Sequence, residues 1–234
     1  MDPRKQLEIG QTAAEEGRYA EALRAYVWFH DHALKHEPAL YGVRLSFALG
    51  YWMDLGKLYP QAIKKLESIR DKKSSAILRG KQDRDLFHDV ESINQCLRAD
   101  QLTCDLFREI DRRYPEFARR CAPLALEALA QCGDFELAHR YSPEPEDALL
   151  SWSDCLNRDV ARKDRDPATR ARLLEAYVHL YRHRVRNMVA VLQGVGQRKQ
   201  ADYVLEWAVA LVDGSAMRRK VARALEQKWP RSPV

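Results

Sequence analysis

Histidines and carboxylates fall into three groups whose spacing bears on catalysis or metal binding. His30, His32 and His36 stand together with Asp31. On a helix, positions i, i+2 and i+6 do not share a face, so three ligands there have poor geometry. Phe29-His30-Asp31 is echoed by Phe87-His88-Asp89, followed by Val90-Glu91-Ser92-Ile93-Asn94. If both helices faced one cleft, two histidines and three carboxylates would suit acid–base chemistry. A helical wheel instead gathers Leu86, Val90, Ile93 and Leu97 on one face and turns His88 away, which favours packed phenylalanines with solvated polar neighbours. Glu175, His179 and His183 fall at i, i+4 and i+8, the best metal-ligand spacing in the chain. Leu180, however, stands where the zinc-protease pattern needs a glutamate after the first histidine. No glycine-rich phosphate loop and no Gly-x-Ser-x-Gly elbow is present. The expectation is therefore no catalytic residue, no bound metal and no cofactor.

A fourth stretch bears on nucleic acid. Tyr181-Arg182-His183-Arg184-Val185-Arg186-Asn187 interleaves basic and aromatic groups. Cations contact phosphates and aromatics stack on unpaired bases. From Arg158 onward the chain holds 17 Lys/Arg against 8 Asp/Glu, while the residues before it are net acidic. An association with RNA or DNA through Arg182, Arg184 and Arg186 is the alternative reading. The other is a solvated helical surface, and no helix-turn-helix, zinc finger or sheet-based RNA module is recognisable.

The 234 residues, 46% of them apolar, can bury a core without covalent staples. Ten glycines and ten prolines are few breakers for this length, and the abundance of Ala, Leu, Arg, Glu and Gln favours helix throughout. The five cysteines include no Cys-x-x-Cys pair, which suits free thiols in a reducing compartment, the cytoplasm. The start, Met1-Asp2-Pro3-Arg4-Lys5-Gln6, is not followed by an apolar run of the signal-peptide kind, and no membrane span is expected.

Apolar periodicity divides the chain into about eleven or twelve helices. The first two cover 3–16 and 19–36, joined at Gly17. Pro38 opens a third that reaches about Leu55, with Gly56 as the next turn. Pro60 starts a fourth, and the polar stretch Lys72 to Arg84 reads as a mobile connection. Helices follow over 85–98 and 100–113, and beyond Tyr114-Pro115. Gly133 turns the chain into a short helix broken by Ser142-Pro143-Glu144-Pro145. Residues 146–162 form the next segment. After a charged joint at 162–167, Pro167 opens a pattern running to about Val195, as one bent helix or two. A further helix covers Ala201 to Val212. A basic amphipathic helix, Ala216 to Trp229, ends before Pro230 and reads as a cap.

Some turns repeat a spacing. Gly17 leads to Ala22, Gly133 to Ala138 and Gly196 to Ala201, each five positions on, and Gly56 leads to Ala62. Across Leu7 to Pro38, the residues Gly10, Gly17, Tyr19, Ala22, Tyr26 and Pro38 follow one pattern. It resembles the tetratricopeptide repeat (TPR), a helix–turn–helix unit of about 34 residues, and the likeness extends in degenerate form over roughly two thirds of the chain. The resemblance implies an all-α fold of antiparallel helical hairpins stacked as a TPR-like α-solenoid. Residues 1–161 would form the hairpin region. Residues 162–234 would add a long helix, a hairpin and a capping helix, packed on the first region as one continuous domain.

The function that the resemblance implies is non-catalytic binding of a peptide or partner protein in a helical groove. Such a partner includes a bacterial toxin or effector for which the chain acts as chaperone or immunity factor. Some family members clamp a peptide carboxylate with lysine, asparagine and arginine. Here the matching helices offer Leu7, Gln11, Ala14, Arg44, Phe47, Ala48 and Tyr51, which is no such clamp. The candidate partner-binding residues are Gln11, Arg44, Phe47, Tyr51 and Asn94, since exposed aromatic and polar groups anchor such surfaces.

Overall fold

Proline and aspartate set where several helices begin. Pro3, with its fixed φ and no N–H, opens α1 (Pro3–Glu15), and the Asp2 carboxylate accepts from the Arg4 amide at 2.9 Å. Asp83 and Asp166 cap α6 (Arg84–Leu97) and α11 (Pro167–Gly194) in the same way. The computed structural model describes residues 1–162 and 166–227. Lys163–Arg165 of the expected joint, and Trp229 and Pro230 at the end of the expected cap, lie outside the described residues. Those described form helices and turns, with no strand among them.

Helix ends are set by one recurring motif. After α1, the Gly17 amide donates to the Ala14 carbonyl at 3.2 Å and the Arg18 amide to the Ala13 carbonyl at 2.8 Å. This paired closure requires a left-handed residue, and Gly17 has φ +77°. The same two bonds close the turns at Gly80, Gly133 and Gly196. They also close one at Arg98, whose φ is +55° without glycine's freedom. The sequence shows no turn glycine between residues 85 and 113, yet α6 and α7 (Asp100–Arg113) are joined by this motif.

The contacts divide the chain into two compact units, Met1–Ala128 and Leu129–Val234, so the chain passes between them within α8 (Pro115–Gln131). The expected division at 161/162 falls within Leu129–Val234.

In Met1–Ala128, α1 lies along α2 (Tyr19–His36) more extensively than any other pair. Gly10 makes this possible, because a Cβ there would collide with the Tyr26 ring. Ala13, Ala22, Tyr26, Leu49, Trp52, Leu66 and Ile93 close into one core. The single third helix expected over 38–55 is instead a 3-10 turn (Pro38–Leu40), α3 (Tyr41–Leu45) and α4 (Phe47–Leu58). The break is at Ser46, whose hydroxyl donates to the Gly42 carbonyl at 2.7 Å and competes with the helical backbone. Gly56 is not a turn. It lies buried inside α4, where its missing side chain leaves room for Ile63 of α5 (Pro60–Leu78). The expected connection over 72–84 shrinks to 79–83, because 72–78 belong to α5. Ala62, Leu66, Ile69 and Ile77 form one buried stripe that keeps α5 helical to Leu78.

In Leu129–Val234, α9 (Phe135–Tyr141) rests on α11 through the Phe135 ring, seated where Gly194 has no side chain. The expected pattern over 167–195 is one continuous helix, α11, packed against α10 (Pro145–Ala161), α12 (Arg198–Ala210) and α13 (Ser215–Glu226). Leu149, Leu156, Val185, Val204 and Val221 are in its core. The Tyr181 hydroxyl donates to the Ala208 carbonyl at 2.7 Å.

Candidate functional site

Four ionisable side chains meet inside Met1–Ala128, each from a different helix. Asp89 of α6 accepts from Arg44 of α3 and from Lys73 of α5. His30 of α2 lies 4.0 Å from the same carboxylate through its Nε2. The Arg44 guanidinium sits 3.4 Å from His30 Nε2 and 3.5 Å from Nδ1, and donates to the His30 carbonyl at 3.4 Å. It also lies over the Tyr41 ring, 5.9 Å from its centre. Trp52 presents its ring edge-on to His30 and anchors its own N–H on the Ala62 carbonyl at 2.9 Å.

Helical phase carries these groups inward. Lys73 follows Ile69 by four positions and precedes Ile77 by four, so it occupies a position in the α5 apolar stripe. Asp89 is four before Ile93 and His30 is four after Tyr26, each pair within one helix. Lys73 was missed in the sequence because the stretch around it is polar. The available signal was a charged residue standing at a core phase.

Burial decides the protonation states. The His30 imidazole is pushed down to about 3, by burial first and then by the Arg44 and Lys73 charges, against the pull of Asp89. It is therefore neutral near pH 7. Burial acts to raise Asp89, but hydrogen bonds and charge from Arg44 and Lys73 outweigh it and hold the carboxyl below its ordinary value. The knot carries two cations against one anion, and the Arg44 Nε has no hydrogen-bond partner. His88 belongs to a separate arrangement, with the Tyr41 hydroxyl 2.9 Å from its Nδ1 and 3.0 Å from Asp85. The two histidines therefore do not share a carboxylate. His30 is 5% exposed, and Arg44 and Asp89 4% each, so a substrate has no access to them. The arrangement ties four helices together through one carboxylate, and of its members Lys73 alone is partly exposed.

The expected partner-binding residues separate accordingly. Arg44 is corrected from an exposed anchor to a buried ion-pair partner. Asn94 is corrected likewise, being fully buried with its amide donating to the Thr103 hydroxyl at 3.0 Å. Both lie at helical positions that face neighbouring helices. Gln11 is half-buried on α1. Phe47 stands 67% exposed on α4, whereas Tyr51, one turn on, is half-buried and packs against the core that holds Leu49 and Trp52. Leu58, 63% exposed, continues the same side, and Gly50 between them opens onto empty space. Leu58 was not among the expected residues, although it is eleven positions from Phe47, a spacing of about three helical turns.

In Leu129–Val234, two of the three expected phosphate contacts are already engaged. Arg186 donates to the Leu225 and Gln227 carbonyls, and Arg182 to the Gln227 carbonyl at 3.2 Å. These are the unsatisfied carbonyls at the end of α13, where cations are favoured. Arg184 is half-buried beside them in sequence. Glu175 pairs with Lys220, and His183 Nε2 is 3.2 Å from Asn187. Among the described residues, no three His, Cys, Asp or Glu side chains are disposed to hold a metal. Between α11 and α13 a cleft of about 880 Å³ is lined by Arg182, Arg219, Lys220, Arg223 and His179, among others.

Comparison with protein-family models, with curated proteins and with solved structures gives no match to this chain. The reading of function therefore rests on the residues and their geometry.

Proposed function

We propose that this chain is a non-catalytic protein-binding scaffold built of stacked TPR-like hairpins, and that an apolar segment of a partner protein docks on the outer side of α4. The observation that carries this is the pair Phe47 and Leu58, two large apolar side chains more than half exposed on one helix about three turns apart. Burying such a side chain is worth about 1.5–3 kcal/mol, so Phe47 and Leu58 are the anchors this side of α4 offers a partner. Successive packing supports the stacked arrangement: α1 on α2, α4 on α5, α5 on α6 and α6 on α7, with α4 also reaching α6 and α5 reaching α7. The burial of His30 and Asp89 supports a holding role for them instead of a catalytic one.

The test compares the wild-type chain with a Phe47→Ser/Leu58→Ser variant as affinity baits in native lysate. The expected result is a protein retained at fixed stoichiometry by the wild type and lost by the variant, with thermal unfolding unchanged. Equal retention by both baits would remove α4 as the docking surface.

A further inference from the structure

We propose that the cleft between α11 and α13 is a groove for an acidic amphipathic helix of a partner protein. The assignment is separate from the α4 surface and stands or falls on other residues. Its first support is uncompensated charge. Arg219 and Arg223 are exposed, and neither pairs with a carboxylate among the described residues. Lys220 crosses from α13 to Glu175 on α11, so the cleft already accepts a carboxylate carried on a helix. Glu175 is the one acidic residue in its lining.

The second support is spacing. Arg219 and Arg223 are one turn apart on α13, about 6 Å along the axis. A helix laid alongside presents carboxylates at i and i+4 with the same repeat, so the two rows stay in register. Ala176, Ala216 and Ala224 also line the cleft. Their small side chains leave room for an incoming helix to approach α13 closely. Among the described residues no Phe, Tyr or Trp lines it, so those residues give unpaired bases no stacking platform there.

The test uses the full chain and three fluorescent probes at low salt. One is an alanine-rich helical peptide with glutamates at four-residue spacing, the second its lysine-substituted counterpart, the third a DNA duplex. The glutamate peptide should bind, with added salt weakening it, and the other two should not compete. Arg219→Ala/Arg223→Ala should weaken binding by about tenfold or more. Arg184→Ala removes one cation outside the cleft lining, and Phe47→Ser/Leu58→Ser alters the other surface. Both should leave the affinity unchanged, with circular dichroism confirming the fold of every variant. The proposal is overturned if the wild type does not bind the glutamate peptide, or if it prefers the duplex. It is equally overturned if the double arginine variant binds as wild type or if Arg184→Ala weakens binding as much.

Discussion

Replacing Glu91 with glutamine should stabilise Met1–Ala128 at alkaline pH and leave it unchanged in acid. Glu91 lies on α6, half-buried, with the Ser92 hydroxyl donating to it at 3.2 Å. Burial pushes its carboxyl up to about 7 from 4.5; the Ser92 bond opposes this, and the Glu127 and Asp100 charges add to it. A raised carboxyl is protonated in the folded chain while the unfolded chain has already ionised. Stability is therefore fully present below pH 4.5 and is lost as pH rises through about 7. The loss converts to about 3 kcal/mol at most, at 1.36 kcal/mol for each tenfold in proton affinity. Glutamine mimics the neutral acid and still accepts from Ser92. Denaturant unfolding of wild type and Glu91→Gln at pH 4.5 and pH 8.5 measures the difference. A gain of about 1–3 kcal/mol is expected at the higher pH, and almost none at the lower. His30 and Asp89, both depressed, act in the opposite sense on the wild-type curve, so only the difference between the two proteins isolates Glu91. Equal stability at both pH values, or a gain confined to acid, would refute the reasoning.

Other substitutions probe the same unit. Asp89→Asn leaves Arg44 and Lys73 facing each other without their shared anion, and should cost about 3–5 kcal/mol at pH 7 by denaturant unfolding. A loss below 1 kcal/mol, roughly what an exposed ion pair contributes, would mean the knot is hydrated in solution. Arg98→Gly relieves a left-handed residue whose side chain is exposed, and should raise stability by about 1 kcal/mol; a decrease would place the turn in another conformation.

Much of the helical framework can be read locally. Pro60, Pro115 and Pro167 begin helices where they stand in the sequence, and Gly17, Gly133 and Gly196 end them, because fixed φ and freedom at positive φ belong to single residues. What misled the reading at Gly56 is that glycine serves two purposes. It can turn a chain or admit a neighbour, and only the Ile63 side chain seated against it distinguishes them. Arg98 shows the converse, a left-handed turn imposed on a residue that does not ask for one. The candidate site divides in the same way. Phe47 and Tyr51 are recognisable as a helical pair from their spacing, whereas the exposure of Phe47, the partial burial of Tyr51 and the burial of Arg44 and Asn94 depend on which sides of each helix its neighbours cover. Lys73 and Asp89 lie 16 positions apart and pair across two helices. The residue types show that these charges must be paired if buried. Which cation reaches which anion is set by packing between elements, and that information is not local to any stretch of the chain.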